Sequence, residues 1–283
     1  MTYRRLAHCA VLALLLPAAA TAQSRPGIYF EQTTHSITTG SGRTDSASNV
    51  TRTTAAGSDV RIDLEKGEFM AFGPFSPGPH GVMIMRDGGK EMIFLNPDKK
   101  EVVSIKLFEM METTQKMMAS MGGSMSVDTS ASSVSMDSIG PGSAVDGHPT
   151  LTYRLTAVMR MTMSMMGEQN VVDNQVTQEF QTATDMDDLL SITGGVNRLA
   201  DFTQFAGFPK GYLDKIAAAG EKMRGFPLRT VKRITTTSRG MTRTAIETVE
   251  ARNVRRMTVP DSLFVVPAGY KSVAMPGFPG DSK

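Results

Sequence analysis

Thiols are nearly missing from this 283-residue chain: its one cysteine is Cys9. The body of the protein therefore holds no disulfide framework, thiolate metal site or thiol nucleophile. An excess of charge is missing too. Thirty basic and 28 acidic residues leave a formal net charge of +2, which falls to zero without Arg4 and Arg5, so no large field points to nucleic acid. Beyond residue 22, no apolar run approaches the roughly 20 residues that a membrane-spanning helix needs. Local catalytic motifs are also lacking. There is no G-x-S-x-G elbow, and Gly40-Ser41-Gly42 has no following Gly-Lys-Ser/Thr, so it reads as a turn and not a phosphate loop.

His35, His80 and His148 sit in a Thr-rich strand, a Gly/Pro loop and a Gly-His-Pro turn. None of these is the helical setting in which i, i+4 spacing builds a zinc site, so no metal or cofactor is expected from them. Asp185, Asp187 and Asp188 lack the regular dozen-residue ligand spacing and distal Glu of a calcium loop. They read as the acidic first turn of a helix capped by Thr184. Arg252, Arg255 and Arg256 read as a solvated strand face.

The first 22 residues have the three parts of an export signal. Arg4 and Arg5 precede the apolar run Leu6 to Leu16, and Ala20-Thr21-Ala22 supplies the small residues of a cleavage site. Cleavage after Ala22 is expected, which removes Cys9 and leaves a soluble periplasmic or secreted protein. Residues 23–270 then read as one domain, and 271–283 as a flexible Gly- and Pro-rich tail.

Alternation with a period of two dominates this domain. Strands are expected over residues 28–39, 49–55, 59–65, 82–85, 91–95, 101–107, 150–166, 171–182, 228–238, 241–252 and 263–266. Residues 123–146, rich in Ser, Gly and Asp, read as a mobile loop with one weak strand. Helical spacing appears over residues 108–121 and 196–205, and in Tyr212, Ile216, Ala219 and Met223 after Pro209. No βαβ alternation occurs. The expected fold is α+β and mainly antiparallel: a curved half-open barrel with about three helices covering its concave face.

Methionine is what the chain has in excess, 22 of 283 residues. Met159, Met161, Met163 and Met165 alternate along one predicted strand and so share a face. Met111, Met118 and Met121 fall on one side of the predicted helix before it. Three readings stay open. The methionines fill a core, line an adaptable cavity for an apolar ligand, or supply thioethers to Cu(I).

Two stretches carry a resemblance. Val145 to Tyr153, with Gly147 and Tyr153, and Asp261 to Tyr270, with Ser262-Leu263-Phe264, Pro267, Gly269 and Tyr270, resemble the domain of unknown function 4412 family of bacterial envelope proteins. His148 and Thr150 stand where that family has an aromatic residue and a cysteine. The looser likeness runs from Gly27 to Tyr270, and the closing motif also occurs in outer-membrane lipoprotein carriers. The resemblance implies a half-open antiparallel barrel with an apolar cavity and no catalytic residues. Together these readings predict an exported, non-enzymatic envelope protein without cofactors or nucleic-acid partners. It would bind a lipid, acyl chain or apolar polypeptide segment, with possible peripheral contact to a membrane. A structural or assembly protein with a plugged core, and a Cu(I)-binding protein, are the alternatives.

Overall fold

The computed structural model describes residues 23–69, 76–106, 122–165, 168–189 and 210–273, the side chains of Met165, Lys210 and Leu213 excepted. It also describes residues 109, 110, 112, 113, 116 and 120, all helical.

Long alternating stretches with β-branched residues form one sheet of twelve strands. The first six are β1 (Ser24–Gly40), β2 (Arg43–Ala56), β3 (Asp59–Lys66), β4 (Val82–Arg86), β5 (Glu91–Asn96) and β6 (Glu101–Lys106). They are followed by β7 (Ser124–Val145), β8 (His148–Met165), β9 (Glu168–Ala183), β10 (Phe226–Ser238), β11 (Met241–Pro260) and β12 (Lys271–Ser272). Their order across the sheet is β12-β6-β5-β4-β3-β2-β1-β11-β10-β9-β8-β7. Two antiparallel meanders, β1 to β6 and β7 to β11, are thus joined by the pairing of β1 with β11. That pairing runs from Ser24 opposite Pro260 to Gly40 opposite Arg243.

Three expectations need correction. The fold is not an α+β half-open barrel with three helices over a concave face. It is mostly β, the sheet is not closed, and α1 (Lys210–Gly220) is the one helix whose bounds are described. The stretch from 123 to 146 is not a mobile loop: it forms β7, the edge strand beside β8. Its serines and glycines are poor strand formers, but Met125, Val127, Val134 and Met136 place apolar side chains on one face, and Met136 is buried. Finally, residues 261–264 form a 3-10 turn, not a strand. Arg61 donates to the Leu263 carbonyl at 3.2 Å and Arg86 to that of Phe264 at 2.8 Å, so arginine guanidinium groups take the place of a neighbouring strand. The segment 196–205 lies outside the described residues.

Helix α1 forms where helical spacing predicts one, but it ends at Gly220, so Met223 falls past its end. Tyr212, Ile216, Ala219 and Met223 are all buried, and the last two pack on Met136 and Tyr153. Burial pushes the Tyr212 hydroxyl above its ordinary pKa. On the same face of the sheet, Ile28, Ala55, Val60, Ala183, Phe226 and Leu228 form the central cluster, with Phe30 edge-on to Phe226. Phe94, Val103 and Ile105 continue it on β5 and β6. The opposite face is covered at its β2–β6 end by the C-terminal segment. There Phe264, Val266 and Tyr270 pack over Ile84, Ile93 and Leu95.

Arg25 fastens this cover. It pairs with Asp59 on one side and with Asp261 at 2.9 Å on the other, and its guanidinium lies 5.1 Å from the centre of the Phe264 ring. β12 then runs parallel to β6, so the chain past residue 270 enters the sheet before leaving the described residues. The closing Ser-Leu-Phe motif is therefore a clasp.

Because Phe264 is 3% exposed, Phe264→Ala should lower unfolding stability by about 3–5 kcal/mol. Urea denaturation followed by circular dichroism measures it, and an unchanged midpoint would show that the clasp holds nothing.

Candidate functional site

Directly opposed residues of an antiparallel pair share a face. The sheet register therefore sorts the candidate methionines. Met159, Met161 and Met163 project from β8 on the face that carries Tyr153, Leu155 and Ala157. Across β7, Val127 is opposite Met161 and Met125 is opposite Met163. Across β9, Asn174, Val172 and Asn170 are opposite Met159, Met161 and Met163. A strip of thioethers and valines thus runs from the α1 cluster toward the end of β8.

Exposure rises along this strip. Tyr153 and Ala157 are buried, Met159 and Met161 are half-buried, and Met163 is 37% exposed beside Met125 at 39%. Met165 closes β8 opposite Glu168, but its side chain lies outside the described residues, as do Met111, Met118 and Met121. Four of the seven candidates are therefore on one strand, and three of those have described side chains on one face. Of the methionines expected on the preceding helix, Met110 is described, and it packs on Phe94, Val103 and Ile105 of β5 and β6.

One border of the strip is polar. Asn170 and Ser238 exchange hydrogen bonds at 3.0 and 3.1 Å, and the Thr236 hydroxyl donates to the Asn174 side-chain oxygen at 2.7 Å. Further across the same face, Lys232 and Glu247 form an ion pair at 2.8 Å. The strip therefore has an apolar side on β7 and β8, and an amide and hydroxyl side on β9 and β10. Two depressions open along the sheet, the second of them at this polar border, where Thr236 and Ser238 line it. One of about 240 Å³ is lined by Thr34, Ser36, Asn49 and Gly67, and one of about 370 Å³ by Thr38, Arg43, Thr236 and Arg243.

A second cluster joins residues far apart in sequence. His148, in the entry to β8, holds Asp185 through Nδ1 at 2.8 Å. Asp188 pairs with Arg256 of β11 at 2.6 Å, and the Asp146 carboxylate accepts the Asn253 backbone N–H at 2.9 Å. The hydrogen bond from His148 is the main cause holding the Asp185 carboxyl below its ordinary range. Thr184 is not a helix cap here. A 3-10 turn starts after Ala183, and Asp187 accepts the backbone N–H of Gly225. Gly225 has φ +82°, and a Cβ there would lie 2.4 Å from the Ala183 carbonyl oxygen, so this position needs glycine. The aspartates brace the turn after β9 instead of building a calcium loop. Among the described residues, no group of three or more His, Cys, Asp or Glu side chains is placed to hold a metal ion.

Met125 and the His148–Asp185 pair were not singled out from sequence. The first had a signal, since Met125 and Val127 alternate; the second had none, because 37 residues separate its members.

No family model matches the chain, and no curated protein does. Two crystal forms of a protein titled PNGF-II align with 86% of this chain, at 12% and 11% identity. The TM-score is 0.24 in both, and the aligned part spans only 31% and 30% of those chains. Likeness this loose carries no statement about fold or function. No helix of the described residues is long and apolar enough to cross a membrane.

Replacing His148 by Ala should return the Asp185 carboxyl toward the usual carboxylate range. Because Asp185 is held low, the contribution of this contact is present above the ordinary carboxylate pKa and is lost as pH falls through the lowered value. A carbon-13 NMR titration of Asp185 in both proteins reads the change, and identical curves would remove His148 as the cause.

Proposed function

We propose that this is an exported envelope protein that binds an amphiphile, laying its acyl chain on the Met159–Met163 strip without catalysing a reaction. The observation that carries the reading is the gradient along β8, where an apolar row continuous with the core becomes half-exposed and then exposed. Methionine is unbranched and polarisable, and it adapts to chains of varied shape. Ligand sites of this kind are mostly apolar with a few placed polar groups. The Asn170–Ser238 and Asn174–Thr236 pairs border the strip and suit the polar end of an amphiphile. Export rests on the first 22 residues, whose basic, apolar and small-residue parts follow the order of a cleaved signal.

The competing reading is that these methionines are sealed core in a structural protein, and the half-burial of Met159 and Met161 gives it footing. The double change Met161→Asp with Met163→Asp separates the two. On an open strip the sheet survives by circular dichroism while uptake of a dansyl-labelled fatty acid is lost. In a sealed core, two unpaired charges cost several kcal/mol each and the protein unfolds. Native mass spectrometry of the protein purified without detergent supplies the direct test. No co-purified lipid together with no uptake of the dansyl probe would sink the acyl-chain reading.

A further inference from the structure

We propose that Met125, Met161 and Met163 form a site for a soft monovalent metal ion, Cu(I), at the exposed end of the strip. The proposal stands on the register between β7 and β8 and does not depend on acyl-chain binding. Met125 lies directly opposite Met163, and Met161 is the next residue of β8 on the same face. In an antiparallel sheet, opposed Cβ atoms are about 4.5–5.5 Å apart and diagonal neighbours about 7–8 Å. Residues two apart along a strand are separated by about 6.5–7 Å. A methionine arm has three rotatable bonds, so three thioether sulfurs on this triangle can meet at one point above the sheet.

The surroundings select the ion. Val127 and Val172, opposite Met161 on either side, make the floor apolar. Asn170, opposite Met163, is already bonded to Ser238. Arg160, Asp128 and Asp173 occupy the other face of the strands, where Arg160 and Asp173 pair at 2.7 Å, and the Glu168 carboxylate, on the same face opposite Met165, is paired with Arg239 at 3.3 Å. Calcium and magnesium require oxygen ligands, and structural zinc takes thiolate or imidazole. Neutral thioethers offer neither, but they match Cu(I). The rim is open enough for delivery, since Met125 and Met163 are 39% and 37% exposed.

The test uses the full chain carrying Cys9→Ser, so that no thiol competes, titrated anaerobically with Cu(I) against bicinchoninate. One equivalent should be withdrawn from the indicator, and the methyl signals of Met125, Met161 and Met163 should shift in carbon–proton NMR. The pair Met125→Leu with Met163→Leu keeps volume and apolarity. It should abolish Cu(I) uptake while leaving the circular dichroism spectrum as it was. Met241→Leu, at the exposed start of β11, should bind as before. Three results overturn the proposal: no saturable uptake, undiminished uptake in the Leu pair, or shifts confined to other methionines. The methyl shifts of the unsubstituted side chains decide the matter even where the Leu pair fails to fold. Loss of dansyl uptake by the unsubstituted protein would remove the acyl-chain reading and leave this one standing.

Discussion

Everything in this sheet depends on the pairing of β1 with β11. Each meander is made of neighbours in sequence, and the two pair as strands where residues 24–40 lie against residues 243–260. Ordering that pair closes a loop of more than two hundred residues, and the entropy of closure must be met by contacts made along the seam. Those contacts are concentrated at one end. Ile28 and Phe30 join Ala251 and Phe226 in the central cluster, whereas the other end of the seam carries Thr34, Ser36 and Thr38 opposite Val249, Glu247 and Ala245. The Asn253 bulge in β11, with φ +55°, marks the change between the two regimes. The Arg25 clasp sits just beyond the apolar end, so the N-terminus of β1 and the C-terminal segment are held by the same side chain.

The strands were legible because period-two alternation survives wherever one face is buried. β3 and β9 fall where Val, Ile, Leu and Phe alternate with polar residues, whereas β4 and β5 are short unbroken apolar runs, Val82 to Met85 and Met92 to Leu95, bounded by turns. Helix α1 was legible for the same reason at the helical period, through Tyr212, Ile216 and Ala219. β7 was not, because its composition argues for a loop and only its neighbour β8 and α1 make a strand of it. Leu263 to Val266 has the composition of a strand, yet its carbonyls were claimed by Arg61 and Arg86. No local propensity can report a partner that arrives from 178 or 202 residues away.

The candidate site followed the same division. That Met159, Met161 and Met163 share a face needed only the period of a strand. That Met125 faces Met163, and that the strip is bordered by an amide and hydroxyl row, needed the register of β7, β8, β9 and β10. Register is set by hairpin geometry and by bulges such as those between Asp128 and Ser133. A slip of one residue would have put Ser126 beside the thioethers instead of Met125.

The seam also imposes an order of events on synthesis. β1 is made first among the strands and β11 almost last, so during vectorial emergence the first meander exists with one long edge unmatched. An unmatched edge of Val and Ile would recruit other chains. Over residues 31–40 this edge reads Glu-Gln-Thr-Thr-His-Ser-Ile-Thr-Thr-Gly, with one large aliphatic residue in ten. The hydroxyl-rich half of β1, which adds little to the core, gives the nascent protein a wettable margin while it waits for its other half.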